Sequence, residues 1–160
     1  MNISSAIIQG TRILKKNFIS TANLDSEILM AKVIKKDRKY ILLNSYKKLN
    51  SEDLNNFKKL IQKRALRKPV AYITNKKFFW NSEFYITEDT LIPRPDTELI
   101  VDNILSLTKY KNRLNILEIG IGSGCILLSI LKEKQNFYGT GIDISQNCLK
   151  ISKINGKELN

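Results

Sequence analysis

The sequence contains no histidine, and its two cysteines, Cys125 and Cys148, lie far apart in the chain. That spacing suggests neither a disulfide framework nor a Cys/His metal site, so no metal is expected and both cysteines read as small core residues. Long apolar runs are also missing. No stretch approaches the length of a membrane span, and the opening segment, interrupted by Gln9, Thr11 and Arg12, lacks the apolar core of a signal peptide. The expectation is a cytoplasmic chain with no membrane partner. Proline occurs only three times, at Pro69, Pro93 and Pro95, and each marks a change of texture along the chain.

Acidic residues are scarce in the first half. Residues 1–80 carry 18 Lys or Arg against 5 Asp or Glu, a net +13, whereas residues 81–160 carry 9 against 10, a net −1. So steep an asymmetry points to two structural units with different partners. A basic unit suits a polyanion such as RNA or an acidic protein surface, although scattered lysines equally suit a solvated face.

Seven glycines are present, and three of them alternate in Leu117-Glu118-Ile119-Gly120-Ile121-Gly122-Ser123-Gly124. An apolar run of strand type stops there and a helical pattern follows. Glycine admits backbone angles closed to other residues and lets a ligand approach the main chain, while the first N–H groups of the next helix point outward. The dinucleotide fingerprint places two residues between its second and third glycines, and this loop has one. A second strand-like run, Phe137-Tyr138-Gly139-Thr140-Gly141-Ile142-Asp143, ends in a carboxylate 23 residues after Gly120, and a carboxylate at that place can accept both hydroxyls of a ribose. Acid-x-Gly-x-Gly-x-Gly followed by a strand and a terminal acid resembles the S-adenosyl-L-methionine pocket of Rossmann-like methyltransferases. The same glycines would also suit a turn in an α/β protein of another kind.

The first unit reads as helices. Ile3, Ile7, Gly10, Leu14 and Phe18 recur at spacings of three and four, and residues 24–34 form a second run with Asp25 and Glu27 in its first turn. A short piece at 40–43 can be capped by Asp37. A fourth run is predicted with Ser51 as N-cap, Leu54, Phe57, Ile61 and Ala65 along one face, and Pro69 as its stop. The result is a bundle of about four helices. After Pro69, Val70, Tyr72 and Ile73 followed by Lys77-Phe78-Phe79-Trp80, a turn at Asn81-Ser82 and residues 83–87 read as a hairpin, with Trp80 on its packing face. The prolines of Leu91-Ile92-Pro93-Arg94-Pro95-Asp96-Thr97-Glu98 fix an extended lead into a helix marked by Ile100, Ile104 and Leu107. A last helix is expected over 145–155, with Gly156 as a stop.

Taken in order, Arg67-Lys68-Pro69-Val70-Ala71-Tyr72-Ile73, Phe79-Trp80, the Leu91 to Glu98 motif, the glycine loop and Gly141-Ile142-Asp143 resemble the HemK/PrmC family of peptide chain release factor glutamine methyltransferases. The resemblance implies an α/β chain with a helical bundle that docks the substrate over 1–68, a hairpin linker over 69–90, and the start of a Rossmann-like class I methyltransferase domain over 91–160. It implies that Gly120, Ile121, Gly122, Ser123, Gly124 and Asp143 contact S-adenosyl-L-methionine, and that Pro93, Arg94, Pro95, Thr97 and Glu118 border the pocket. It also implies methylation of the glutamine amide in the Gly-Gly-Gln loop of a release factor. The family's Asn-Pro-Pro-Tyr, which holds that glutamine, does not occur among these 160 residues. The expectation is therefore the N-terminal portion of a longer enzyme, inactive by itself and carrying no catalytic residue of its own. Two alternatives are a DNA or RNA amino-methyltransferase and a non-catalytic binding module.

Overall fold

The computed structural model describes residues 1–159. The chain divides into a unit Met1–Thr74 and a second unit that begins at Asn75.

The first unit is helical. Helix α1 (Ile3–Lys16) is capped by Asn2, whose side chain accepts the Ser5 N–H at 2.8 Å. It buries Ile3, Ala6, Ile7, Gly10 and Leu14. Gly10 is needed for close approach: a Cβ there would lie 2.9 Å from both Ile61 Cδ1 and Phe57 Cζ. The periodicity places Phe18 on the same stripe, but Phe18 lies past the helix end at φ +56° and is 85% exposed. Helix α2 (Ala22–Ile34) buries Leu29 and Met30.

Helix α3 (Arg38–Leu43) is capped by Asp37, which accepts the Tyr40 N–H at 2.7 Å. Helix α4 (Ser51–Ala65) is capped by Asn50 rather than by the expected Ser51. Asn50 has the extended backbone of an N-cap and accepts the Asp53 N–H at 2.7 Å, and asparagine caps as well as serine. Residues 70–73, predicted as part of the hairpin, instead form α5 (Val70–Thr74), in which Tyr72 and Ile73 donate to the Pro69 carbonyl. A proline just ahead of a helical turn presets its backbone, and burial of Ile73 outweighs the strand preference of its neighbours.

Asp25 and Glu27, expected only to favour the start of a helix, are buried and paired. Arg64 Nε meets Asp25 Oδ2 at 2.7 Å, and Arg38 Nε meets Glu27 Oε2 at 2.6 Å. Buried carboxylates need such partners, and arginine supplies them through a planar donor set.

The second unit opens with an antiparallel hairpin, β1 (Lys76–Phe79) and β2 (Ser82–Tyr85), with Phe79 opposite Ser82. The turn is therefore Trp80-Asn81, one residue earlier than the sequence suggests. This register puts Phe79 and Phe84 on one buried face, edge to face at 6.2 Å, and a shift of one residue would turn one of them outward. A 3-10 turn at Pro95–Thr97 leads into α6 (Glu98–Leu107). Helix α6 packs against α7 (Cys125–Glu133) and buries Val101, whereas Ile100 and Leu107 of the predicted face are exposed.

Strands β3 (Asn115–Ile119) and β4 (Tyr138–Ile142) pair in parallel, Asn115 opposite Tyr138 through Ile119 opposite Ile142. Helix α7 lies between them in sequence, and α8 (Gln146–Leu159) follows β4. Gly156 does not stop α8. It keeps a helical conformation beside Leu128, where a Cβ would sit 3.6 Å from Leu128 Cδ2, and none of the left-handed geometry of a C-cap glycine is adopted there.

Candidate functional site

At the end of β3 the three alternate glycines all take the left-handed conformation, with φ +77° at Gly120, +54° at Gly122 and +81° at Gly124. Their spacing is thus a backbone requirement. They differ in what surrounds them. A Cβ at Gly120 would meet nothing within 4 Å, so that side of the loop is open. A Cβ at Gly124 would lie 2.8 Å from Leu128 Cδ1, so Gly124 serves the packing of the loop on α7. Gly141 on β4 serves the same end, because a side chain there would collide with Ile121 of the loop.

The loop is tied to the end of β4 by backbone bonds, Gly120 N–H and Ile121 N–H both donating to the Ile142 carbonyl at 2.8 and 3.0 Å. Asp143, the next residue, accepts the Gly122 N–H on Oδ2 at 2.9 Å and the Ser145 N–H on Oδ1 at 2.8 Å. Those two donors, Ser145 first, hold its carboxyl below the ordinary range, so Asp143 is an anion at neutral pH. Each oxygen has one backbone partner, which leaves further lone pairs for a ligand's hydroxyls. The structure therefore brings Gly120, Ile121, Gly122, Ser123, Gly124 and Asp143 together at the carboxyl ends of two parallel strands, the usual place for ligands in such sheets.

Glu118 lies just before the loop on β3 and accepts the Leu127 N–H on Oε2 at 3.1 Å, satisfying one of the otherwise unpaired donors in the first turn of α7. Burial pushes its carboxyl up to about 7, against a smaller downward pull from that N–H. The Cys125 thiol is also pushed up, chiefly by burial. A folded-state pKa above the unfolded value means that the native state holds the Glu118 proton more tightly. The resulting stability is present at low pH and is lost as pH rises from 4.5 to about 7. Thermal unfolding across that range should show wild type losing stability relative to Glu118→Gln. Parallel curves for the two proteins would mean that Glu118 is not shifted.

The segment 93–97 is placed differently. Pro93 is buried, Arg94 and Pro95 are exposed, and Thr97 donates its N–H to the Arg94 carbonyl at 3.1 Å. Glu98 reaches the hairpin turn, where its Oε1 accepts the Trp80 backbone N–H at 2.8 Å. Trp80 does not join the buried phenylalanines of the hairpin; its indole Nε1–H donates to Glu133 Oε1 at 2.8 Å. Glu98 and Glu133 thus hold a turn residue that sits at φ +52°.

Residues 5–74 match the family model described as the PrmC N-terminal domain. The chain is 37% identical over 160 residues to the release factor glutamine methyltransferase of Buchnera aphidicola subsp. Acyrthosiphon pisum, covering all of this chain and 57% of that protein. It is 35% identical over 161 residues to the protein of the same name from Leptospira interrogans, covering 99% and 56%. It is 34% identical over 160 residues to that of Clostridium acetobutylicum, covering 100% and 56%. Residues 5–74 thus match the PrmC N-terminal domain, within a chain that is similar along its whole length to release factor glutamine methyltransferases. The chain spans about half the length of the curated relatives it matches. A helical N-terminal domain is followed by the start of a methyltransferase domain.

One residue that bears on the loop carries no motif in the sequence. Asn155, in α8, is 1% exposed, and its side chain contacts both the glycine loop and β2. The available signal was its place on the buried face of α8 with Cys148, Ile151 and Ser152, where an asparagine must find partners. Among the described residues no group of three or more His, Cys, Asp or Glu could hold a metal ion, and no helix is long and apolar enough to cross a membrane.

Proposed function

We propose that this chain binds S-adenosyl-L-methionine on residues 120–124 and Asp143, and that the complete protein methylates the glutamine side-chain amide in the Gly-Gly-Gln loop of peptide chain release factors in the cytoplasm. The observation that carries this reading is the set of three left-handed glycines whose middle N–H is gripped by Asp143, in a chain that resembles release factor glutamine methyltransferases over its full length. The residues present suit the cofactor. Gly120 leaves open space where a bulky group can lie against the main chain, and the Asp143 anion can accept both hydroxyls of a ribose while still holding Gly122 and Ser145.

When bound, S-adenosyl-L-methionine supplies an electrophilic methyl group on a sulfonium. An amide nitrogen is a weak nucleophile because its lone pair is delocalised, so the protein's contribution is positioning and exclusion of water. In this reading the 120–124 loop and Asp143 orient the donor, while Pro93, Arg94, Pro95, Thr97 and Glu118 border the pocket of a Rossmann-like domain over 91–160. Residues 69–90 act as the link and residues 1–68 dock the substrate protein.

The helical unit offers a surface for docking. A cleft of about 600 Å³ is lined by Lys32, Lys59 and Lys63 with Val33, Leu60 and Leu66 among its apolar residues. It suits an acidic protein surface carrying an apolar anchor. The same +13 net charge over residues 1–80 also favours a second reading, methylation of a nucleic acid. Titration of the chain with a release factor and with RNA at low and high salt separates the two. Binding to the release factor should be the tighter and should weaken as salt rises, because exposed charges are screened over about 8 Å at physiological ionic strength. Tighter binding to RNA would favour the second reading.

A further inference from the structure

The Asn155 side chain uses both of its N–H donors and its carbonyl oxygen on main-chain groups from two separate places. Its Oδ1 accepts the Tyr85 N–H at 2.7 Å, and its Nδ2 donates to the Tyr85 carbonyl at 2.9 Å and to the Ser123 carbonyl at 2.8 Å. Tyr85 is the last residue of β2, and Ser123 lies between the second and third glycines of the loop. One side chain thus fixes the end of the hairpin and the peptide group that precedes Gly124. Helix α8 holds the chain beyond the hairpin as well, since Asn147 Nδ2 donates to Asp89 Oδ1 at 2.9 Å and Cys148 Sγ donates to the Asp89 carbonyl at 3.2 Å.

A loop of three left-handed residues is short of regular bonds, and its geometry depends on what grips its carbonyls and N–H groups. Gly120, Ile121 and Gly122 are held from the β4 side, by Ile142 and Asp143. Within the loop, Gly124 N–H donates to the Ile121 carbonyl at 2.8 Å. The Ser123 carbonyl is held from α8, by Asn155. We infer that Asn155 is a positioning residue for the cofactor loop, holding Ser123 and Gly124 in the shape that accepts ligand and registering that loop against the end of the hairpin. The inference rests on reading the 120–124 loop as the S-adenosyl-L-methionine site.

Two substitutions dissect the role. Asn155→Leu is close in size and removes all three bonds. Asn155→Asp keeps an acceptor for the Tyr85 N–H but turns carboxylate oxygens toward the Tyr85 and Ser123 carbonyls. Val101→Ala, which removes buried volume from α6 in the same unit without touching the loop, serves as a control for lost stability. Three readouts are taken on the 160-residue chain well below its unfolding temperature: the amide 15N shift of Gly124, which reports a hydrogen bond on the preceding carbonyl; hydrogen exchange at the Tyr85 amide; and the dissociation constant for S-adenosyl-L-methionine.

The Leu variant should shift the Gly124 resonance, speed exchange at Tyr85 and weaken the cofactor by about tenfold, the scale of losing bonds to buried main-chain groups. The Asp variant should shift Gly124 while largely preserving protection at Tyr85. If the Asp variant does not fold, the Leu variant decides. An unmoved Gly124 resonance, or an affinity no weaker than that of Val101→Ala, would overturn the positioning role. A wild-type chain that takes up no cofactor would overturn the reading of the site alone, and the Gly124 resonance would then decide whether Asn155 holds the loop.

Discussion

Arg64→Leu is expected to destabilise the helical unit by about 3–5 kcal/mol, the scale of removing one partner from a buried ion pair. Asp25 is 5% exposed, and its Oδ2 accepts both Arg64 Nε at 2.7 Å and the Thr21 hydroxyl at 2.8 Å. Without the guanidinium, a carboxylate is left among apolar side chains with one neutral donor. Arg64 also donates from Nη1 to the Lys68 carbonyl at 3.3 Å, just past the end of α4, so that carbonyl loses a partner too. The change is large against the about 5–15 kcal/mol that separates folded from unfolded states in most domains. The double variant Asp25→Leu/Arg64→Leu should be less damaged than the single one, because a buried pair replaced by apolar residues is often close to neutral. Hydrogen exchange of α1 and α2 amides measures the effect within the unit. A loss below about 1 kcal/mol would place the pair among surface ion pairs, which contribute little.

Gly122→Val and Asp143→Ala are each expected to weaken S-adenosyl-L-methionine by about 10- to 100-fold while leaving the chain folded. Loss of the Asp143 carboxylate removes the charged acceptor that a ligand's hydroxyls would use, which is the source of that range. Valine at Gly122 meets a backbone at φ +54°, where a β-branched residue is strained, and it displaces the N–H that Asp143 holds. The surrounding space is not crowded, since the nearest heavy atom to a Cβ at Gly122 is the Gly120 carbonyl oxygen at 4.0 Å. Gly124→Val would be a poor test, because its side chain would strike Leu128 and damage packing as well as binding. Calorimetry with unchanged affinity in both variants would remove these residues from the pocket.

Much of this was legible where local chemistry and burial agree. The 3,4 spacing of Ile3, Ile7, Gly10 and Leu14, the Asp37 cap and the strand that breaks at Gly120 all follow from rules that hold within a few residues. The failures share a cause. Phe18 fits the stripe of α1, but the helix ends at Lys16, with Asn17 as its C-cap. Val70 and Tyr72 have strand propensity, but Pro69 starts a helical turn and the core takes Ile73. The exposed Ile100 and the buried Val101 both fit a helix; only the position of α7 decides between them. At the candidate site, glycine spacing exposes the loop and Asp143, whereas the partners of Asn155 lie 32 and 70 residues away in sequence, beyond the reach of periodicity.

A 1H–15N titration of the chain with S-adenosyl-L-methionine tests whether the glycine loop and Asp143 form a cofactor site. Shifts should be concentrated at the amides of Gly120, Gly122, Ser123, Gly124 and Ser145, and should be lost in Asp143→Ala. Saturating shifts confined to the helical unit, or no shifts at the loop while a full-length relative binds under the same conditions, would contradict it.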